Sequence, residues 1–177
     1  MEFTHGNLVG VAYRWVLKNA SCGVAFKEFS TSAPTGEIPD VIGFGAWRHS
    51  VVVEVKVSRS DFLNDRKKPF RKAPELGMGV QRYYCCPTGL IKVEELPEMW
   101  GLIYVNDKGK AICVHNPYKY VPNEGTGGLK RLCMVANLEA ERAILYSALR
   151  RLHLRGRIDE VYIGLAESKK LDPFGNG

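Results

Sequence analysis

The sequence predicts an α/β domain, and three features carry that expectation. Valines stand at 51, 53, 55 and 57 with Glu54 and Lys56 between them, the period of two expected of a strand. Directly afterwards Ser58 and Asp61 have the S-x-x-D spacing of a helix N-cap, so a helix follows the strand without a linker. Helical stripes also lie towards both ends of the chain, at residues 8–18 and 137–154. The expected architecture is a central mixed sheet flanked by helices, extended by a β-hairpin and C-terminal helices.

In chain order, Leu8, Val9, Val11, Ala12, Trp15 and Val16 form the first stripe, with Gly6-Asn7 opening the helix and residues 19–23 ending it. Trp15 reads as core. Residues 23–30 alternate, placing Val24, Phe26 and Glu28 on one face of a first strand. Residues 40–44 and 51–57 read as the second and third strands, joined through residues 45–50. The helix capped by Ser58 is expected to close at Pro69, which disfavours helical geometry at Lys68. After a loop rich in breakers, residues 80–87 form a buried strand beside the Glu54 strand, with Gln81 and Arg82 turned towards the site. Residues 101–105 and 110–114 flank Asn106-Asp107-Lys108-Gly109, a hairpin turn. Residues 115–131 carry breakers and aromatics, read either as a clamp for single-stranded nucleic acid or as a surface loop. Leu138, Ile144, Leu145, Ala148, Leu149 and Leu152 make the last long stripe, with Asn137 as cap. Arg150, Arg151, Arg155 and Arg157 suit its C-terminal dipole. A short helix over 158–170 and a tail complete the chain.

The stretch 37–71 carries the chemistry. A hairpin centred near Trp47 sets Asp40 across from Glu54, Ile42 across from Val52 and Ile38 across from Lys56. Cβ atoms of directly opposed residues lie about 4.5–5.5 Å apart, and like charges so placed destabilise a sheet. A divalent cation with oxygen ligands answers that repulsion; a solvated strand face with a salt bridge is the plainer alternative.

Pro39-Asp40 and Glu54-Val55-Lys56 resemble the signature of the PD-(D/E)XK nuclease superfamily, the restriction-endonuclease-like fold. The continuation through Ser58, Asp61, Phe62, Asp65 and Lys67 is similar to a branch that includes the MmcB-like DNA-repair proteins and related phage and bacterial proteins. The resemblance covers residues 37–72 most closely and extends over about 5–105. It implies an α-β-β-β-α-β core and a DNA nuclease dependent on Mg²⁺ or Mn²⁺, active in DNA repair, recombination or phage DNA processing. Asp40 and Glu54 would hold the ion with the Val55 carbonyl, and Glu28 is the best-placed extra acidic ligand, or else a strand-end surface glutamate. Lys56 would orient or deprotonate a water, or stabilise the oxyanion, or pair with Asp40 or Glu54. Gln81 with Tyr84 is similar to a QxxxY element of some relatives, one residue short. Arg59, Arg66, Lys67, Lys68, Arg71 and Lys72 outnumber Asp61 and Asp65 by four and would contact DNA phosphates, with Arg82 at the next strand; a solvated helix end is the plainer account.

At 177 residues, 45% hydrophobic and 25% charged, the chain fits one soluble domain able to bury its own core. The core is expected over about 5–115 and a helical extension over about 132–170. No apolar run reaches the length of a membrane span and the N-terminus lacks signal-peptide character, so a cytoplasmic location is expected. Five cysteines without a CxxC suggest buried free thiols. The net charge of +6 fits a polyanion partner. The reading is a metal-dependent deoxyribonuclease; the alternative is a non-catalytic DNA-binding or interaction protein on the same fold.

Overall fold

The computed structural model describes residues 3–31, 37–123, 125 and 129–163. Helix α1 (His5–Asn19) opens at Thr4, whose hydroxyl accepts from the Asn7 N–H, three residues earlier than the stripe alone suggests. Strands β1 (Val24–Lys27), β2 (Val41–Phe44) and β3 (Ser50–Val55) form an antiparallel meander. Helices α2 (Arg59–Asp65) and α3 (Pro69–Lys72) then cross to β4 (Gln81–Pro87), which runs parallel to β3. Next to it lies β5 (Trp100–Val105), again parallel, and β6 (Ala111–His115) pairs antiparallel at the edge. The mixed sheet has six strands in the order β1-β2-β3-β4-β5-β6. Short α3 aside, the elements up to β4 run α-β-β-β-α-β.

Period two decides what each face of the sheet meets. Val51, Val53 and Val55 join Leu8, Ala12, Trp15 and Val16 of α1, with Tyr83, Cys85 and Ile103 from the parallel strands. On the other face Ile42 and Val52 meet Ala140 and Ile144 of α4 (Leu138–Leu154). Further along that face Phe62 of α2 packs edge-on to Tyr84, and Tyr84 stacks on Trp100. Cys22, Cys85 and Cys86 are buried thiols, whereas Cys113 and Cys133 are exposed. No helix among the described residues is long and apolar enough to cross a membrane.

Several local expectations need correction. Helix α2 ends at Asp65, before Pro69; Lys68 is extended, as the proline demands, but Pro69 then opens α3 as its first residue. Val57 does not point into the core: β3 ends at Val55 and the chain turns towards α2, leaving Val57 36% exposed. The stretch after β6 holds a second small sheet, β7 (Tyr120–Pro122) with β8 (Leu129–Arg131). Tyr118 there is buried, its hydroxyl accepting from the Arg82 N–H and donating to the Met99 carbonyl, so it is not a stacking platform. The chain after α4 forms a short 3-10 turn at Ile158–Tyr162, and the rest of the helix expected over 158–170 lies outside the described residues. The hairpin tip between β2 and β3 holds Trp47 and Arg48 at φ 57° and 62°. Positive φ at both central positions matches a type I′ turn, at about 1–2 kcal/mol of strain per non-glycine residue.

Helix α4 seats differently from its leucine stripe. Its buried residues are Ala140, Glu141 and Ile144, while Leu138, Leu145 and Leu149 are exposed. The anchor is Glu141, which accepts from Ser50 Oγ at 2.7 Å and from the Gly79 N–H at 2.8 Å. Truncating it strands two buried donors, each costing about 1–3 kcal/mol. Glu141→Ala is therefore expected to lower the unfolding free energy by about 2–6 kcal/mol in chemical denaturation, and Leu149→Ala to change it by under about 0.5 kcal/mol. The reverse order would mean that the leucine stripe, not the carboxylate, holds the helix.

Candidate active site

The β2–β3 ladder fixes the central geometry. Val41 pairs with Val53 and Ile42 with Val52, so the next step sets Asp40 beside Glu54 on the face away from α1. Asp40 Oδ2 accepts from the Val55 N–H at 2.6 Å, where a further strand residue would have supplied a carbonyl. The Lys56 N–H pairs with the Cys85 carbonyl in β4. Along a strand the N–H and C=O of one residue point to the same side, so the Val55 carbonyl also faces Asp40.

Glu54 is 2% exposed and its two oxygens differ sharply. Oε2 lies 3.4 Å from Lys56 Nζ, 3.4 Å from Lys68 Nζ and 3.2 Å from Arg71 Nη2. Oε1 is buried without a hydrogen-bond partner among the described residues. An unpaired carboxylate oxygen away from water is costly, so Oε1 stays available to accept from a donor or a cation.

Asp40 senses the same crowding. Burial first, then the Glu54 charge, raises its carboxyl from 3.8 to about 6, against the pull of the Val55 N–H, Lys56 and His5. On its outer side stand His5 and Glu28. His5 Nε2 is 3.4 Å from Asp40 Oδ1 and 3.4 Å from Glu28 Oε1, and the three side chains lie close enough to share one metal ion. Glu28 reaches this place through a left-handed turn at φ 45° with its N–H on the Asp40 carbonyl.

Behind Glu54 lies a buried ion network. Lys56 is 3% exposed, its Nζ 3.2 Å from Asp65 Oδ1 and 3.8 Å from Asp61 Oδ1 as well as beside Glu54. Arg71 bonds Asp65 through Nε at 2.7 Å and Glu37 through Nη1 at 3.1 Å, and its guanidinium lies against the Trp100 ring. Glu37 also accepts from the Met78 N–H at 2.8 Å. Burial works against ionising Asp65, yet Arg71, Lys56 and Lys68 outweigh it and hold that carboxyl far below its usual range. The Tyr84 hydroxyl donates to Asp65 Oδ2, and burial raises its pKa.

The sequence placed Asp40, Glu54, Val55, Lys56 and Glu28 in one neighbourhood, and the structure brings them together. It separates the expected phosphate ligands. Arg71 is spent on the buried network, and Arg59 is clamped by both Glu95 oxygens and the Leu90 carbonyl. Arg82 is not at the site: it is 1% exposed, and its guanidinium donates to the carbonyls of Pro74, Gly77, Met78, Gly79 and Val135. Gln81 faces the α1 side with Tyr83, by strand parity. Lys68 is half-exposed above Glu54 and Asp65, while Arg66, Lys67 and Lys72 point to solvent. His5, Asp65 and Tyr84 complete the site. His5 falls outside a helix started at Leu8; Asp65 shares a face with Phe62 at i,i+3; and Tyr84 is the register neighbour of Glu54.

No family model matches the chain, and no curated protein matches it. Among solved structures it is similar to SPO1766, a protein of unknown function from Silicibacter pomeroyi, with a TM-score of 0.53 and 22% identity over 93% of this chain and 99% of that one. At that identity the likeness shows the fold alone.

The raised Asp40 carboxyl makes a signed prediction. A folded-state pKa above the unfolded one means that the folded protein binds more protons between about pH 4 and pH 6, so stability falls as pH rises through that window. Asp40→Asn removes the loss. In metal-free buffer at pH 7.5 it is expected to raise the unfolding free energy by about 1–3 kcal/mol, with no gain below pH 4. Glu54→Gln should instead cost about 2–4 kcal/mol, because Lys56, Lys68 and Arg71 lose a shared carboxylate. Denaturant titrations across pH 3.5–8 measure both, and an Asp40→Asn gain independent of pH would refute the crowding.

Proposed function

We propose that this chain is a metal-dependent nuclease acting on DNA, with a restriction-endonuclease-like core and Mg²⁺ or Mn²⁺ at Asp40 and Glu54. The observation that carries the reading is the pair of carboxylates on adjacent strands, one with a crowded proton and the other with a buried oxygen that has no partner among the described residues. The α-β-β-β-α-β order of elements around them is the one expected of such a core. The donor set fits a divalent cation: Asp40, Glu54 and the Val55 carbonyl offer oxygen, with Glu28 at the outer edge. The chemistry supplied by such an ion is neutralisation of a phosphodiester oxygen and a bound water of lowered pKa.

The protein's own groups do the rest. Lys56 brings positive charge to the Glu54 side, suited to an oxyanion that forms there. Asp65 and Tyr84 act through Lys56 and Arg71 and hold them in position. Arg66, Lys67 and Lys72, exposed on the segment that covers the network, are the cations available to DNA phosphates, with Lys68 between them and Glu54. Phosphate contacts of this kind fix register without reading sequence.

One feature favours the second reading, a DNA-binding or interaction protein without catalysis. Lys56 is enclosed by Glu54, Asp61 and Asp65, the contacts of a structural ion pair. Linear, nicked, flapped and single-stranded DNA, each incubated with Mg²⁺, Mn²⁺ or EDTA, separates the two. Cleavage is expected with a divalent ion, absent in EDTA, and lost in Asp40→Asn with the fold retained. A parent protein that binds DNA but cuts none of these substrates establishes the second reading instead.

Salt dependence locates the DNA independently of cleavage. Replacing Lys67 and Lys72 by alanine should weaken binding equally for unrelated sequences and flatten the slope of log K against log salt by up to about two units. Replacing Arg150 and Arg151 should leave the slope unchanged, since Arg151 is held by the Ser30 carbonyl and the Phe29 ring. The opposite pattern puts the DNA on the α4 face.

A further inference from the structure

At the far end of the sheet from Asp40 and Glu54, two cavities of about 470 and 260 Å³ open on either side of Gln81 and Arg131. No carboxylate lines either of them among the described residues. Arg48 stands at the rim of the larger and Arg131 is common to both, so the space is electropositive. Arg131 lies against Gln81, whose amide oxygen, turned towards the donors around it, stands 2.9, 3.1 and 3.2 Å from Nη1, Nε and Nη2, over the face of the guanidinium. The Tyr118 carbonyl accepts from Nε as well, and the Tyr120 ring lies 5.7 Å from the guanidinium carbon. Gln81 itself is 1% exposed. The Tyr118 carbonyl thus holds a guanidinium against a buried amide at the wall of a cavity, with polar side chains of Asn19 and Asn116 in the smaller lobe.

Above the larger lobe stands Trp47, 98% exposed. It holds a left-handed backbone conformation that only its surroundings can impose. Those surroundings are rigid: His49 Nε2 is 2.6 Å from the Ala20 carbonyl, and Gly45 and His49 close the tip through Gly45 N–H to His49 O at 2.8 Å. The hairpin therefore presents a bare indole, an arginine beside it and an anchored arginine below. A flat ring stacks on the first and an anion pairs with the other two.

We infer that this cavity pair binds a phosphorylated nucleoside, the base against Trp47 and the phosphate at Arg131 and Arg48. The volume of the larger lobe is within the range of small-molecule sites. The ligand chemistry is shared by a free nucleotide and by one nucleotide of a single strand, since every base has a stacking face. The inference does not depend on the nuclease reading, because none of its residues belongs to the Asp40–Glu54 site.

Tryptophan emission gives the test, since Trp15 and Trp100 are buried and Trp47 is the exposed one of the three. The full chain is titrated in EDTA with deoxyadenosine monophosphate, deoxyadenosine, inorganic phosphate, and oligodeoxyadenylates with and without a 5′-phosphate. Saturable quenching by the monophosphate is expected, with deoxyadenosine at least about tenfold weaker and phosphate competing without quenching. Arg131→Gln should raise the monophosphate Kd at least about tenfold. Should that variant fold poorly, Arg48→Ala, on the exposed tip, is expected to weaken binding several-fold. Asp40→Asn, at the other end of the sheet, should bind like the parent. Equal affinity for monophosphate and oligonucleotide assigns the site to free nucleotides, and affinity rising with length assigns it to a strand. Absence of saturable quenching, equal binding of deoxyadenosine, or parent-like binding by the Arg48 and Arg131 variants overturns the inference.

Discussion

Arg71 is the group on which this structure turns. Its side chain is 2% exposed and reaches Asp65 at the end of α2, Glu37 before β2 and Glu54 on β3. Burying a guanidinium is tolerable only when its charge is answered, and here carboxylates from three separate segments answer it. The same guanidinium lies 4.9 Å from the Phe70 ring centroid and 4.6 Å from that of Trp100. The crossover between β3 and β4 is consequently bolted to the sheet by charge as much as by Phe62. Helix α2 has seven residues and α3 four, too few to be stable on their own. Tertiary ion pairs supply what helix propensity cannot.

That arrangement reassigns a basic segment. Read along the chain, Arg59–Lys72 is a run of cations beside a carboxylate pair, and a polyanion is the obvious partner. In space the run divides by where the break between α2 and α3 sends each side chain. Arg71 turns inward, Lys68 straddles the boundary and Arg59 folds back onto Glu95. Arg66, Lys67 and Lys72 keep their solvent exposure. Cations inside the network neutralise Glu54 and Asp65, and only those outside it add to the field that an approaching phosphate meets. A count of charge over a segment therefore overstates the electrostatics of its surface whenever acidic partners arrive from elsewhere in the chain.

What could be read from the sequence follows the same logic. The β2–β3 register was legible because alternation fixes which residues share a face, and a symmetric hairpin about Trp47 fixes the pairing; Ile42 does lie across from Val52. The N-caps at Ser58 and Asn137 were legible because a single side-chain oxygen makes them. Packing between distant elements was not. Helix α4 carries more apolar surface than it buries, and the seat is chosen by Glu141 meeting Ser50 and Gly79, contacts that no periodicity announces. Arg82 lies away from the site for a related reason: its guanidinium answers five carbonyls gathered from the loop after α3 and the segment before α4. Long-range polar partners decide these positions, and a linear pattern records only one member of each pair.

The two carboxylates at the centre share a further property. Each has one oxygen committed and one oxygen differently placed. Asp40 Oδ2 holds the Val55 N–H, leaving Oδ1 on the side of His5 and Glu28. Glu54 Oε2 faces Lys56, Lys68 and Arg71, leaving Oε1 buried and without a partner among the described residues. The committed oxygens fix the orientation of both groups, so on the proposed reading neither side chain would need to reorganise before an ion binds. Preorganisation of that kind lowers the entropic cost of capture. Glu54 Oε2 holds the crossover to the sheet and Asp40 Oδ2 holds the strand end, and on the proposed reading the two remaining oxygens would serve the ion. A substitution at Glu54 disturbs both roles together, whereas Asp40 touches the network only through its charge. Asp40 is therefore the position at which function can be separated from fold.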